Sequence, residues 1–174
     1  MCLTLGTLED MSTNYLPEGA TSLNPLIVVS PAAEAIEFYR AVLGARPTTR
    51  MDGPDGTVWH CELDLGHGRM TVMDPNPQFR VVASDPGTDE ACFSLAVYVP
   101  DVDAALAAAR ERGARVREEA QVFDVTGDRF ASVQDPFGVR WTIMTRVEPR
   151  TDEQVQQGLD AWRASLTETA EPVT

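Results

Sequence analysis

Gly44-Ala45-Arg46 returns as Gly113-Ala114-Arg115, 69 residues later, and Arg69-Met70-Thr71-Val72-Met73 returns as Arg140-Trp141-Thr142-Ile143-Met144, 71 residues later. At the 69-residue offset Pro31 falls on Pro100, and Leu26-Ile27-Val28-Val29 falls on Leu95-Ala96-Val97-Tyr98. Correspondences in one order, at nearly one spacing, identify an internal duplication. That decides the architecture before any single residue is interpreted.

Within the first copy, Leu23 to Val29 reads as a strand closed by Ser30-Pro31. Ser30 is placed to cap a helix and Pro31 to sit in its first turn. Ile36, Tyr39 and Leu43 then recur at helical spacing until Gly44 stops the helix. Arg46 to Arg50, Thr57 to Leu65 and Arg69 to Met73 read as strands, punctuated by Asp52-Gly53-Pro54-Asp55-Gly56 and Gly66-His67-Gly68. The second copy repeats strand, helix and three strands. Phe93 to Val99 is its first strand, and Asp101 or a neighbour caps a helix with inner stripe Val102, Ala105, Leu106 and Ala109. Arg115 to Glu118, Arg129 to Gln134 and Arg140 to Thr145 follow as strands. The domain reading is a tail over 1–22, a module over 23–74, a linker over 75–92 rich in Pro, Asp and Gly, a module over 93–148, and a C-terminal helix and tail over 149–174. Thr151-Asp152-Glu153-Gln154 matches a capping box, and Val155, Leu159 and Trp162 make one apolar stripe behind it. That helix is expected to dock on the body or on a partner subunit.

A length of 174 residues suits one domain or two small modules sharing a core. The net charge is −13, and all 14 basic residues are arginine. Such acidity excludes a phosphate-binding nucleic-acid partner, is compatible with cationic ligands and aids solubility. No run approaches the roughly 20 apolar residues that span a bilayer, so no membrane partner is expected. Met1 to Asp10 lacks the basic start of a signal peptide, and Met11-Ser12-Thr13 resembles a second natural beginning. Cys2, Cys61 and Cys92 form no spaced pair, which points to a reduced, cytoplasmic setting; Cys61 and Cys92 read as small buried hydrophobes.

Ala35-Ile36-Glu37-Phe38-Tyr39-Arg40-Ala41-Val42-Leu43-Gly44-Ala45, Val99-Pro100-Asp101-Val102-Asp103-Ala104, Gly127-Asp128-Arg129-Phe130 and Asp135-Pro136-Phe137-Gly138-Val139-Arg140-Trp141 together resemble the vicinal-oxygen-chelate superfamily. That superfamily includes glyoxalase I, bleomycin-resistance proteins and extradiol dioxygenases. The chain looks closest to the branch labelled demethylubiquinone-methyltransferase-like, a label that establishes no methyltransferase activity. The resemblance implies an α+β fold: tandem βαβββ modules forming a curled mixed sheet around a cleft, with helices outside. It also implies, in the metal enzymes of the family, one ligand on the first and one on the last strand of each module. Those positions fall here on Asn24, Thr71, Phe93 and Thr142. Phe93 has no donor atom, and neutral amide and hydroxyl oxygens are weak ligands for zinc, iron or nickel. The expectation is therefore no metal and no cofactor.

Strand alternation sorts what is left. Trp59, Cys61, Leu63 and Leu65 should pack against the helix, while His60, Glu62 and Asp64 face the cleft. Met70 with Val72 and Trp141 with Ile143 should face the helices. Arg69, Thr71, Met73, Arg140, Thr142 and Met144 then line the cleft or its rim, and Phe93, Met73 and Met144 would make it apolar and adaptable. His60 and Glu62 could act as acid and base, hold a displaced metal, or simply line a pocket by hydrogen-bonding each other or an arginine. Arg129 could clamp a ligand anion or make a structural ion pair. His67, between two glycines, is expected to be exposed. The leading expectation is a metal-independent, bleomycin-resistance-like protein that binds a small, partly apolar molecule as a homodimer. The alternatives are a lyase, isomerase or hydrolase using His60 and Glu62, or a metal-dependent member with a different strand register.

Overall fold

The computed structural model describes residues 15–168; the readings of the first ten residues, of a second start at Met11 and of Cys2 lie outside them. The first module runs β1 (Leu26–Val28), α1 (Ala32–Leu43), β2 (Arg46–Asp52), β3 (Val58–Asp64) and β4 (Arg69–Met73). After a short 3-10 turn at Pro77–Phe79, the second runs β5 (Leu95–Tyr98), α2 (Val102–Glu111), β6 (Arg115–Phe123), β7 (Asp128–Gln134) and β8 (Arg140–Arg146); α3 (Asp152–Glu168) follows. Each module makes a four-stranded mixed sheet, β1-β4-β3-β2 and β5-β8-β7-β6, whose first strand pairs parallel to its last. The expected curled sheet is thus two sheets, neither closed on itself nor hydrogen-bonded to the other.

The registers show how faithfully the duplication was kept. Cys61 lies opposite Val72, and Ala131 lies opposite Ile143. On β2 the register slips between Pro47 and Thr49; on β6 it slips between Val116 and Glu118. The same one-residue bulge, at Thr48 and at Arg117, therefore bends both edge strands at the same place. One alignment needs correcting. Ile27 pairs with Val72 and Val97 with Ile143, so Ile27 corresponds to Val97, 70 residues on. Sequence matching at 69 placed β1 one residue out of phase, because both stretches are short apolar runs with little in them to mark register.

Helix α1 buries Ala32, Ala35, Ile36, Phe38, Tyr39, Val42 and Leu43 on one face and ends at Gly44 in the left-handed conformation. Each buried side chain the size of Ile36 stabilises the fold by about 1.5–3 kcal/mol. Its start differs from expectation. Ser30 does not cap it; the N-cap is Pro31, which has no side-chain donor or acceptor, and the Ala32 N–H donates instead to Asp74 Oδ1 at 3.0 Å. Asp101 does cap α2, accepting from the Ala104 N–H at 3.0 Å. Thr151 and Gln154 close the capping box of α3 reciprocally, at 2.9 and 3.3 Å.

The core is one apolar cluster drawn from both modules. Tyr39 on α1 reaches across: its ring lies 5.3 Å from that of Trp141, and its hydroxyl donates to Asp135 Oδ2 at 2.7 Å. Phe38 meets Phe137 edge-on at 6.1 Å. One of the expected faces changes. Trp59 is 44% exposed rather than packed under α1, and Val58 is buried in its place. The register slip between Met51 and Asp52 shifts the alternation at the start of β3, and the Trp59 indole lies over Gly53 in the hairpin loop. Cys61 is buried as expected, whereas Cys92 is exposed in the segment before β5.

Candidate functional site

Each sheet has a core face and an open face. On the core face stand Ile27, Cys61, Leu63, Met70 and Val72 in the first module, and Val97, Ala131, Val133, Trp141 and Ile143 in the second. Residues one step out of phase occupy the open face. Strand pairing arranges them in rows. Thr49, Glu62, Thr71 and Leu26 form one row, and Glu118, Ser132, Thr142 and Ala96 form its equivalent. The next row holds Met51 and His60 in the first module and Gln121, Phe130, Met144 and Tyr98 in the second. Met73, opposite Val28, stands at the same level as His60. Beyond Phe130 and Met144, Phe123, Asp128 and Arg146 make a final row.

His60, Glu62, Thr71, Met73, Thr142 and Met144 therefore share open faces as expected. His60 is half-buried and has no hydrogen bond among the described residues. Glu62 does not orient it. Its Oε1 accepts from Arg69 Nη1 at 2.9 Å and from Thr48 Oγ1 at 2.8 Å, so the carboxylate is committed to the arginine at the start of β4 and to the bulged residue of β2. Arg69 also donates to the Glu18 carbonyl at 2.5 Å, and its duplicate Arg140 donates to the Asp89 carbonyl at 2.7 Å. The segments preceding each first strand are thus equivalent straps, each tied to its own sheet by an arginine. Sequence reading saw a tail and a linker because the straps share no residue pattern; Arg69 and Arg140 hold them by backbone carbonyls, which any residue supplies.

Arg129 stands apart from the open face. It lies on the core-side face of β7 and makes a bidentate pair with Asp103 of α2, at 2.7 and 2.8 Å. The guanidinium holds the Asp103 carboxyl below its ordinary value, chiefly through that hydrogen bond. Phe93 is exposed in front of β5, beside a cavity of about 530 Å³ formed with Ser84, Asp85, Cys92, Gly138 and Arg140. His67 is exposed in its turn.

The residues present do not suit the family's divalent metal. Asn24 uses both ends of its amide on Thr21, donating to the carbonyl at 2.5 Å and accepting from the N–H at 3.4 Å. Extending the corrected register puts Ser94, not Phe93, opposite Asn24 in the duplication, and the Ser94 hydroxyl donates to the Arg140 carbonyl at 3.4 Å. With Thr71 and Thr142, the set is four neutral oxygen donors, poor ligands for ions that prefer imidazole, thiolate or carboxylate. Among the described residues, no three His, Cys, Asp or Glu side chains gather as an alternative.

One cluster escaped sequence reading. Asp128 is buried on β7; its Oδ1 accepts from Arg146 Nε at 2.6 Å and its Oδ2 from the Tyr98 hydroxyl at 3.2 Å. Arg146 Nη2 also meets the Tyr98 oxygen at 3.4 Å. Asp128 was visible only as part of a motif, since nothing in the chain links positions 98, 128 and 146 until β5, β7 and β8 pair. Beside them, Phe123 meets Phe130 edge-on at 6.4 Å and Trp162 of α3 at 5.7 Å.

No helix among the described residues is long and apolar enough to cross a membrane. The family model of the Glyoxalase/Bleomycin resistance protein/Dioxygenase superfamily matches residues 22–143. An uncharacterized protein of Mycobacterium tuberculosis is 31% identical over 155 residues, 88% of each chain, and one of Mycobacterium bovis is 31% identical over 142 residues, 80% of this chain and 93% of its own. Among solved structures, TioX from Micromonospora has a TM-score of 0.55 at 23% identity, covering 71% of this chain and 98% of its own. A PhnB protein from Bacillus cereus scores 0.55 at 15%, covering 72% and 99%, and the fosfomycin resistance protein FosX from Listeria monocytogenes scores 0.54 at 9%, covering 78% and 98%. With two duplicated βαβββ modules and a family match spanning both, the chain belongs to the glyoxalase/bleomycin resistance protein/dioxygenase superfamily.

Proposed function

We infer that this protein binds a small, partly apolar molecule against its open sheet faces without the family's metal, as a sequestering or self-resistance protein would. It acts as a cytoplasmic homodimer. The observation that carries the reading is the donor set: Asn24, Thr71, Ser94 and Thr142 supply no strong metal ligand, while Leu26, Met73, Tyr98, Phe130 and Met144 supply an apolar floor. Methionines adapt to irregular ligands at small cost, which suits binding more than transition-state fit. Isothermal titration with a panel of aromatic and glycopeptide antibiotics, on protein purified without chelator and assayed for bound metal, tests it. Saturable binding by metal-free protein is expected; stoichiometric zinc, nickel, iron or manganese, or turnover without binding, overturns it.

A second reading keeps His60 as an acid or base, favoured by its half-buried, uncommitted ring beside Met51 and Met73. Glu62 then acts on the site through Arg69 rather than through His60. His60→Ala is expected to leave ligand binding within about threefold, whereas a catalytic histidine would lose about 100-fold or more of any turnover on removal.

A further inference from the structure

We propose that the Tyr98–Asp128–Arg146 cluster is an anion-recognition subsite on the open face of the second module, selecting aromatic ligands that carry a carboxylate. This rests on the ligand-binding reading above and names the chemistry of the ligand. Three observations carry it. First, Asp128 is only 5% exposed, and it spends both oxygens on Arg146 and Tyr98. A buried carboxylate fixes the guanidinium plane, so a ligand anion meets a donor already oriented. Second, the Arg146 side chain remains 46% exposed, and its Nη1 group has no acceptor among the described residues. Third, the cluster borders an aromatic shelf. Tyr98 pairs with Met144 and Met144 with Phe130 in one row, while Phe123 lies opposite Asp128 and against Trp162. A flat apolar body on that shelf would bring its carboxylate to Arg146.

The first module has no counterpart. At the position matching Tyr98 it carries Val28, and the slip at the start of β3 leaves no residue in the place of Asp128 on that face. The duplication thus kept two open faces and gave each its own ion pair, Glu62 with Arg69 in the first module and Asp128 with Arg146 in the second. An arginine that merely neutralised Asp128 would require neither the Tyr98 hydroxyl nor a free Nη1.

The test uses the full chain and two probes sharing one ring system: 2-naphthoate, an anion, and 2-naphthylmethylamine, a cation at neutral pH. At 0.15 M salt the Debye length is about 8 Å, so the overall negative charge biases binding only weakly. Titration calorimetry should show 2-naphthoate binding about tenfold tighter than the amine, the scale of one charge-assisted hydrogen bond. Arg146→Gln should weaken 2-naphthoate and abolish or reverse that preference, because the uncompensated Asp128 carboxylate then favours the amine. Because Arg146→Gln leaves Asp128 unpaired, Tyr98→Phe serves as the second variant; it keeps the ion pair and should reduce the preference about threefold, with an unchanged circular dichroism spectrum. Equal affinity of the two probes, or a preference that survives Arg146→Gln, overturns the anion subsite alone. Absence of binding by both probes overturns it together with the ligand-binding reading.

Discussion

Asp135 shows how one residue can join two modules. Its carboxylate accepts from Tyr39 across the module boundary, from Trp141 Nε1 at 2.9 Å, and from the backbone N–H groups of Phe137 and Val139 at 3.0 and 2.9 Å. Burial pushes this carboxyl above its ordinary value, although all four donors pull the other way; the same burial, followed by the Asp135 charge, pushes the Tyr39 phenol well up. A folded value raised above the unfolded one contributes stability that is full at low pH and is lost as pH rises through the folded value. Asp135→Asn, which does not titrate, should cost about 1–3 kcal/mol in acid by leaving donors unmatched. That cost should shrink as pH rises across the weakly acidic range. Thermal melts of both proteins from acid to neutral pH read the trend; a gap that widens with pH contradicts it.

At the scale of elements, two turns in the same backbone conformation make a controlled comparison. Gly138, in the β7–β8 turn, has φ 92°, and Gly66, in the β3–β4 turn, has φ 90°. A Cβ on Gly66 would meet nothing within 4 Å, whereas one on Gly138 would come within 2.7 Å of the Asp85 backbone and 2.8 Å of Pro86 N. Both alanine variants bear the strain of the left-handed conformation, about 1 kcal/mol. Gly138→Ala must in addition displace the linker that crosses the turn, and should cost about 2–4 kcal/mol in total. Chemical denaturation of the two variants checks the ordering; equal losses would show that the linker is not held there. The Asp135-Pro136-Phe137-Gly138 motif thus serves a tight turn, a buried carboxylate and linker packing together.

For the whole molecule, the question is what covers the open faces. Leu26, Met51 and Tyr98 on the sheets and Leu159, Trp162 and Leu166 on α3 are each more than a third exposed. Gly158 of α3 lies against Val125 in the β6–β7 turn and Trp162 against Phe123, so the helix docks on its own chain and still presents an apolar stripe. Exposed apolar side chains on α3 such as Leu159 and Trp162 are what the proposed homodimer would cover. Light scattering at micromolar concentration should give a mass twice the 19.0 kDa of one chain. A monomer under those conditions would remove the homodimer from the proposed function.

The duplicated words at Gly44 and Gly113 and at Arg69 and Arg140 were enough to establish two modules of strand, helix and three strands, and alternation was enough to put Glu62, Thr71, Thr142 and Met144 on open faces. Such features are local: period, capping and turn chemistry act over a few residues and leave their mark in the sequence. The register of β1 against β5, the exposure of Trp59, the diversion of Glu62 to Arg69 and Thr48, and the meeting of Tyr98, Asp128 and Arg146 were decided only in the folded chain. Each depends on which strand lies beside which and on where a bulge falls, and a one-residue slip there exchanges one face for the other. The sequence by itself determined the modules, because duplication, period and turn chemistry are local. Tertiary structure decided which polar groups are partnered among the described residues and which are not.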